Sequence, residues 1–76
     1  MTLNDYLADK KLTLEAFAGL VTEATGERIA PSTVWKWRRG TMPRARVVLA
    51  IEELTAGQVT ARDFVIAAAA LERAAA

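Results

Sequence analysis

The sequence predicts an all-α fold, a small bundle of about five short helices, on three observations. Apolar residues recur three and four positions apart in successive segments, the repeat that lines one face of an α-helix. Most segments are bounded by residues suited to start or stop a helix: Thr2, Thr13, Pro31 and Thr60 at starts, Gly26 and Gly40 at ends. No long run alternates apolar and polar residues as a strand would, and "QVT" at 58–60 is at most a short extended piece.

The first helix spans roughly residues 3–10, capped by Thr2, with Leu3, Tyr6 and Leu7 at helical spacing and Leu12 closing the turn after it. Thr13 can cap a second helix from Leu14, with Phe17, Ala18, Val21 and Ala24 on one face and Gly26 as its left-handed stop. "ERIA" connects to a third helix that Pro31 can open, because its missing N–H would have no partner in the first turn anyway. Gly40 ends it. After "GTMP" a fourth helix runs over residues 44–54, where Val47, Val48, Ile51 and Leu54 make an apolar face. Val59 is a buried anchor in the next turn. Thr60 and Asp63 resemble a capping box and open a last helix through Phe64, Ala68 and Leu71. "AAAALERAAA" favours helix but has little to bury, so residues 67–76 are a frayed tail, the end of the last helix, or a helix that meets a partner.

A chain of 76 residues is one domain that buries only about 60% of its unfolded surface. It contains no cysteine and no histidine, which removes disulfides, thiolate nucleophiles, the usual zinc-ligand sets and the commonest general base together. An enzyme is the least supported class, and no metal or nucleotide cofactor is implied. The longest apolar run, "FVIAAAAL" at 64–71, is far short of the ~20 residues that span a bilayer, so no membrane partner is expected. The N-terminus mixes charges of both signs, unlike a secretory signal, and a cytoplasmic protein is expected.

The net charge of +1 hides a strong asymmetry. Arg28, Lys36, Arg38, Arg39, Arg44 and Arg46 lie in a stretch with no acidic residue, and the rest of the chain carries four basic residues against nine acidic ones. A local positive field of this kind attracts a polyanion, while an acidic remainder limits promiscuous sticking. At the centre of the strip, "PSTVWKWRRG" places Trp35 and Trp37 about 200° apart on a helix, so one small core cannot take both.

"LTLEAFA", then "STVWKWRRG", then Pro43 and "AIEELTAGQVTARDF", in this order, resemble the Cro and phage-repressor type of helix-turn-helix regulator from about Leu3 to Phe64. The resemblance implies a helix-turn-helix DNA-binding domain over residues 1–66, with residues 31–39 as the recognition helix. Val34 and Trp37 then pack on the core and Trp35 points away from it. Carried over residue by residue, the resemblance implies base contacts from Pro31, Ser32 and Lys36, with Thr33 and Trp35 at the groove edge or backbone. Lys36 is the strongest of these, since an ammonium can donate to guanine O6 and N7. Arg38, Arg39, Arg44 and Arg46 read as phosphate clamps, which position a protein on DNA without reading sequence.

The sequence departs from the family pattern at three places. Leu14 stands where members carry a polar residue that meets a phosphate. Ala30 stands at the N-cap of the recognition helix, a place a phosphate could fill in a complex. The spacing from Ala18 to Val34 is about six residues longer than in the common motif, so "TEATGE" either extends the second helix or splays the pair.

The expected function is a sequence-specific, repressor-like transcriptional regulator of a phage, a prophage or a bacterium. Its partner would be double-stranded DNA, and a homodimer is left open, because half-sites one helical turn apart, ~10 base pairs, suit a pair of such domains. The alternative is a protein-interaction adaptor on the same scaffold, with Trp35 and the arginines meeting an acidic partner.

Overall fold

The computed structural model describes residues 1–75. Five helices follow one another: α1 (Leu3–Lys10), α2 (Leu14–Thr25), α3 (Pro31–Arg38), α4 (Ala45–Leu54) and α5 (Ala61–Ala75). There is no strand among the described residues, so the chain is a small all-α bundle. The short extended piece expected at 58–60 is a turn residue, Val59, driven wholly into the core. α5 runs unbroken past residue 66 to Ala75, and residue 76, the last of the expected tail, lies outside the described residues.

Local chemistry sets the helix ends. The Thr2 hydroxyl accepts from the Asp5 N–H at 3.1 Å, and the Thr13 hydroxyl accepts from the Ala16 N–H at 3.0 Å, each satisfying a donor that the first turn leaves free. Lys11 takes a left-handed conformation after α1, and the Leu12 N–H then reaches back to the Leu7 carbonyl at 2.9 Å. Gly26 does the same service for α2, with φ of 74° and its N–H on the Thr22 carbonyl at 2.8 Å. Residues 22–25 of "TEATGE" thus belong to α2, and Gly26 completes its stop. The fourth helix begins one residue later than expected, with Arg44 as its N-cap.

α2 packs against both α3 and α4, and α1 and α5 close the two sides by meeting α3 and α4. The core comprises Leu3 and Leu7 from α1, Phe17, Ala18 and Val21 from α2, and Val34 and Trp37 from α3. It is completed by Val47, Val48 and Ile51 from α4, with Val59 and Phe64. Tyr6 adds an edge-to-face contact with Phe17, ring centroids 6.2 Å apart. Two expected core positions differ. Ala24 is exposed on a groove that it shares with Ala50, Glu53 and Leu54 of α4, and Leu71, whose Cβ lies beside Gly40, is exposed over the rest of its surface.

Thr55 is a buried polar residue just after α4. Its hydroxyl donates to the Ile51 carbonyl at 2.7 Å and accepts from the Val59 N–H at 3.1 Å, so it joins α4 to the turn that drops Val59 into the core. The Glu52 carboxylate accepts from the Ala61 N–H at 2.8 Å, and the Thr60 N–H and hydroxyl donate to Asp63 Oδ2 at 2.8 and 3.0 Å. The capping box is therefore formed, with aspartate reaching back as glutamate does elsewhere. Gly40, at φ of 119°, lies against α5 so closely that an added Cβ would sit 2.9 Å from the Ala67 carbonyl oxygen. The chain leaving α3 thereby rests on the backbone of α5.

Burial works to raise the Asp63 pKa, but the Thr60 N–H and hydroxyl and the Met1 amino group, 3.5 Å away, outweigh it and hold the carboxyl below its ordinary value. A carboxylate lowered on folding contributes stability that is present above its unfolded pKa of about 3.9 and is lost as pH falls through the folded value. Urea midpoints taken from about pH 5 down to pH 3 are expected to fall less steeply in Asp63→Asn than in the parent. Thr55→Val leaves the Val59 N–H buried without a partner and should lower the unfolding free energy by about 1–3 kcal/mol in urea titrations.

Candidate nucleic-acid interface

The third helix is held by two side chains. Val34 is fully buried and Trp37 is 5% exposed, and their spacing of three puts both on the inward face. That choice turns Ser32, Trp35, Lys36 and Arg39 outward, because positions i, i+3, i+4 and i+7 form one stripe opposite the core. All four are exposed, with Trp35 at 41%. Pro31 and Arg38 are exposed on one flank of this stripe, and Thr33 is half-buried on the other.

Two members of the stripe touch one another. The Arg39 guanidinium lies over the Trp35 ring, 4.9 Å from its centroid, so the aromatic face limits where that charge can go. The end of α3 is closed by the Arg39 N–H, bonded to the Trp35 and Lys36 carbonyls at 3.2 Å each, and by the Thr41 N–H on the Lys36 carbonyl at 2.9 Å. Lys36 and Arg38 lie in the last turn, where cations complement the helix dipole. At the other end Ala30 offers no side-chain cap, and its carbonyl takes the Thr33 and Val34 N–H groups at 3.0 and 3.3 Å.

Of the six basic residues of the strip, Arg28 lines a groove along α2 and the other five fall into two groups. Among the described residues Lys36, Arg38 and Arg39 make no ion pair. Arg44 and Arg46, by contrast, share one carboxylate: Arg44 Nη2 is 2.6 Å from Glu27 Oε2 and Arg46 Nη1 is 3.4 Å from Glu27 Oε1. Glu27 is the residue that sequence reasoning missed. It immediately precedes Arg28, where the acid-free stretch begins, so a count along the chain places it just outside the strip that it joins in space.

Beside α3, this open groove of about 870 Å³ runs along α2 and is lined by Leu20, Ile29 and Pro31 together with Glu15, Glu23 and Arg28. Two carboxylates against one guanidinium make that surface less suited to phosphate than the outward stripe of α3, which carries no acid. Leu14, where a polar phosphate contact was wanting, is half-buried against the core. Among the described residues no three His, Cys, Asp or Glu side chains gather as a metal site would require. No helix is long and apolar enough to cross a membrane among the described residues.

Comparison of the chain with family models, with curated proteins and with solved structures returns no match. What this face can do therefore has to follow from its own chemistry.

The two tryptophans report their environments separately. In Trp35→Phe the remaining Trp37 should show blue-shifted emission and weak acrylamide quenching, and in Trp37→Phe the remaining Trp35 should be readily quenched. Trp37→Ala is expected to destabilise the fold by about 3–5 kcal/mol, as large aromatic truncations in cores do. Trp35→Ala should change the unfolding free energy by about 1 kcal/mol or less, since it removes one exposed cation–π interaction.

Proposed function

We propose that this chain is a sequence-specific DNA-binding transcriptional regulator of the Cro and phage-repressor kind, acting in the cytoplasm by occupying an operator rather than by catalysis. The observation that carries this reading is the outward stripe of α3: Ser32, Trp35, Lys36 and Arg39, fixed by Val34 and Trp37 on the opposite face. A short exposed helix fits the major groove of B-form DNA, and residues on its free face can reach base edges.

The roles follow from position and chemistry. Lys36, at the middle of the stripe, donates to acceptors on a guanine edge, and Ser32, one turn earlier, bonds to a base edge or phosphate. Pro31, at the start of the helix, packs against a base edge and offers no donor. Arg38 and Arg39 clamp phosphates beside the groove, with Arg39 steadied by the Trp35 ring. Thr33, on the flank, meets the backbone. The uncapped N-terminus of α3 suits a further phosphate. A pair of such domains on a two-fold site would about double the number of phosphates engaged, which gives a homodimer a physical motive.

A second reading rests on the exposed Trp35 with a guanidinium on its face, the pairing of residue types that dominates protein interfaces. The two readings separate in one titration. Fluorescence anisotropy of a labelled mixed-sequence duplex, at several salt concentrations, should show log affinity falling linearly with log salt. Lys36→Ala with Arg39→Ala should abolish most of that binding and lower the slope by roughly one for each phosphate no longer neutralised. Absence of binding at low salt, or equal binding by the double variant, would overturn the DNA reading and favour a protein partner whose binding Trp35→Ala abolishes.

A further inference from the structure

The basic strip meets one internal acid. Among the described residues Glu27 is the only carboxylate paired with any of the six basic residues from Arg28 to Arg46, and it holds two of them. Its place is built by hydrogen bonds of the α2–α3 connection. The Thr25 hydroxyl donates to the Val21 carbonyl at 2.8 Å and accepts from the Glu27 N–H at 3.1 Å, while the Thr22 hydroxyl accepts from the Ile29 N–H at 3.0 Å. Arg46 also donates to the Thr25 carbonyl at 3.4 Å, near the C-terminal end of α2, whose last turn has no basic residue of its own.

The partners differ in how free they are. The Glu27 side chain is 24% exposed, and those of Arg44 and Arg46 are 74% and 67% exposed. The carboxylate is thus the anchored member and the guanidiniums are the ones able to swing away. Exposed ion pairs of this kind are weak, so a phosphate oxygen, which accepts from arginine in the same forked geometry, can compete with the carboxylate.

We propose that Glu27 sets how strongly the basic strip holds a nucleic-acid backbone, by keeping Arg44 and Arg46 in an internal pair from which they reach phosphate only by exchange. This rests on the DNA-binding reading above. Attraction to any duplex then comes chiefly from Arg28, Lys36, Arg38 and Arg39, which make no ion pair among the described residues, and Arg44 and Arg46 engage only where docking brings a phosphate to them. Glu27 in this way lowers sequence-independent binding without touching the nucleic acid.

The test compares the full chain with Glu27→Gln, which removes the charge and keeps the size. Glu53→Gln, at an exposed α4 position with no ion pair among the described residues, serves as the charge-matched control. Circular dichroism of each variant verifies the helical fold before titration. On a mixed-sequence duplex, Glu27→Gln should steepen the slope of log affinity against log salt and bind up to about fivefold tighter at about 0.1 M salt for each released arginine, the ceiling set by the strength of an exposed ion pair. Glu53→Gln should show neither change. Arg44→Ala with Arg46→Ala should cost the parent little and should erase the gain of Glu27→Gln. Glu27→Gln binding no tighter than Glu53→Gln, or a parent that loses as much as Glu27→Gln on removal of the two arginines, would overturn the proposal. If the parent does not bind duplex at all, the DNA reading fails by itself, and elution from immobilised heparin decides the Glu27 question. Later elution of Glu27→Gln than of Glu53→Gln supports the internal pair, and equal elution overturns it.

Discussion

The burial of Val34 and Trp37 on one side of α3 is the interaction on which the rest of this molecule's surface depends. An eight-residue helix with Pro31 at its start and no side-chain cap is not stable alone, since isolated helices shorter than ~12–15 residues are marginal in water. It exists because a valine and a tryptophan three residues apart enter the same core as Phe17, Val21 and Ile51. Once those two are inside, helical geometry leaves no choice about Ser32, Trp35, Lys36 and Arg39. They share the opposite face, and three donors and an aromatic ring are presented together.

The same core explains why the surrounding turns are so fully bonded. A bundle this small has little apolar area with which to cover loops, so threonine hydroxyls do much of the joining: Thr22 and Thr25 before α3, Thr55 and Thr60 before α5. No buried side-chain nitrogen or oxygen among the described residues lacks a partner. Gly40 belongs to this logic as well. Its missing side chain lets the exit from α3 rest directly on the α5 backbone, so the Ala-rich last helix supports the end of the cationic face.

Charge is distributed just as selectively. The three basic side chains of α3 without an ion pair lie on or beside its outward stripe, whereas Arg44 and Arg46 begin α4, where cations at a helix N-terminus are unfavourable. The Glu27 carboxylate offsets that cost and neutralises much of the charge at the start of α4. Glu15 and Glu23 line the neighbouring groove. Positive potential is thereby concentrated on α3 rather than spread over the molecule.

The helices and their ends were legible in the sequence because their causes are local. Threonine caps, a left-handed glycine, a proline at a first turn and apolar residues at helical spacing act within a few positions of the chain; local spacing alone said only that Trp35 and Trp37 could not share one core, and the choice of Trp37 came from the family resemblance. Positions whose fate depended on a neighbour were not legible. Ala24 and Leu71 have the right spacing for burial, yet their neighbours in α4 and at Gly40 cover them only in part. The sequence by itself determined a five-helix chain with one cationic, tryptophan-bearing helix. Only the tertiary structure decided that Arg39 lies on Trp35, that Gly40 meets α5, and that Glu27 takes Arg44 and Arg46 out of the free strip. The last pairing joins residues 17 and 19 positions apart, and such pairings follow from how α2 and α4 pack, which no local pattern of charges encodes.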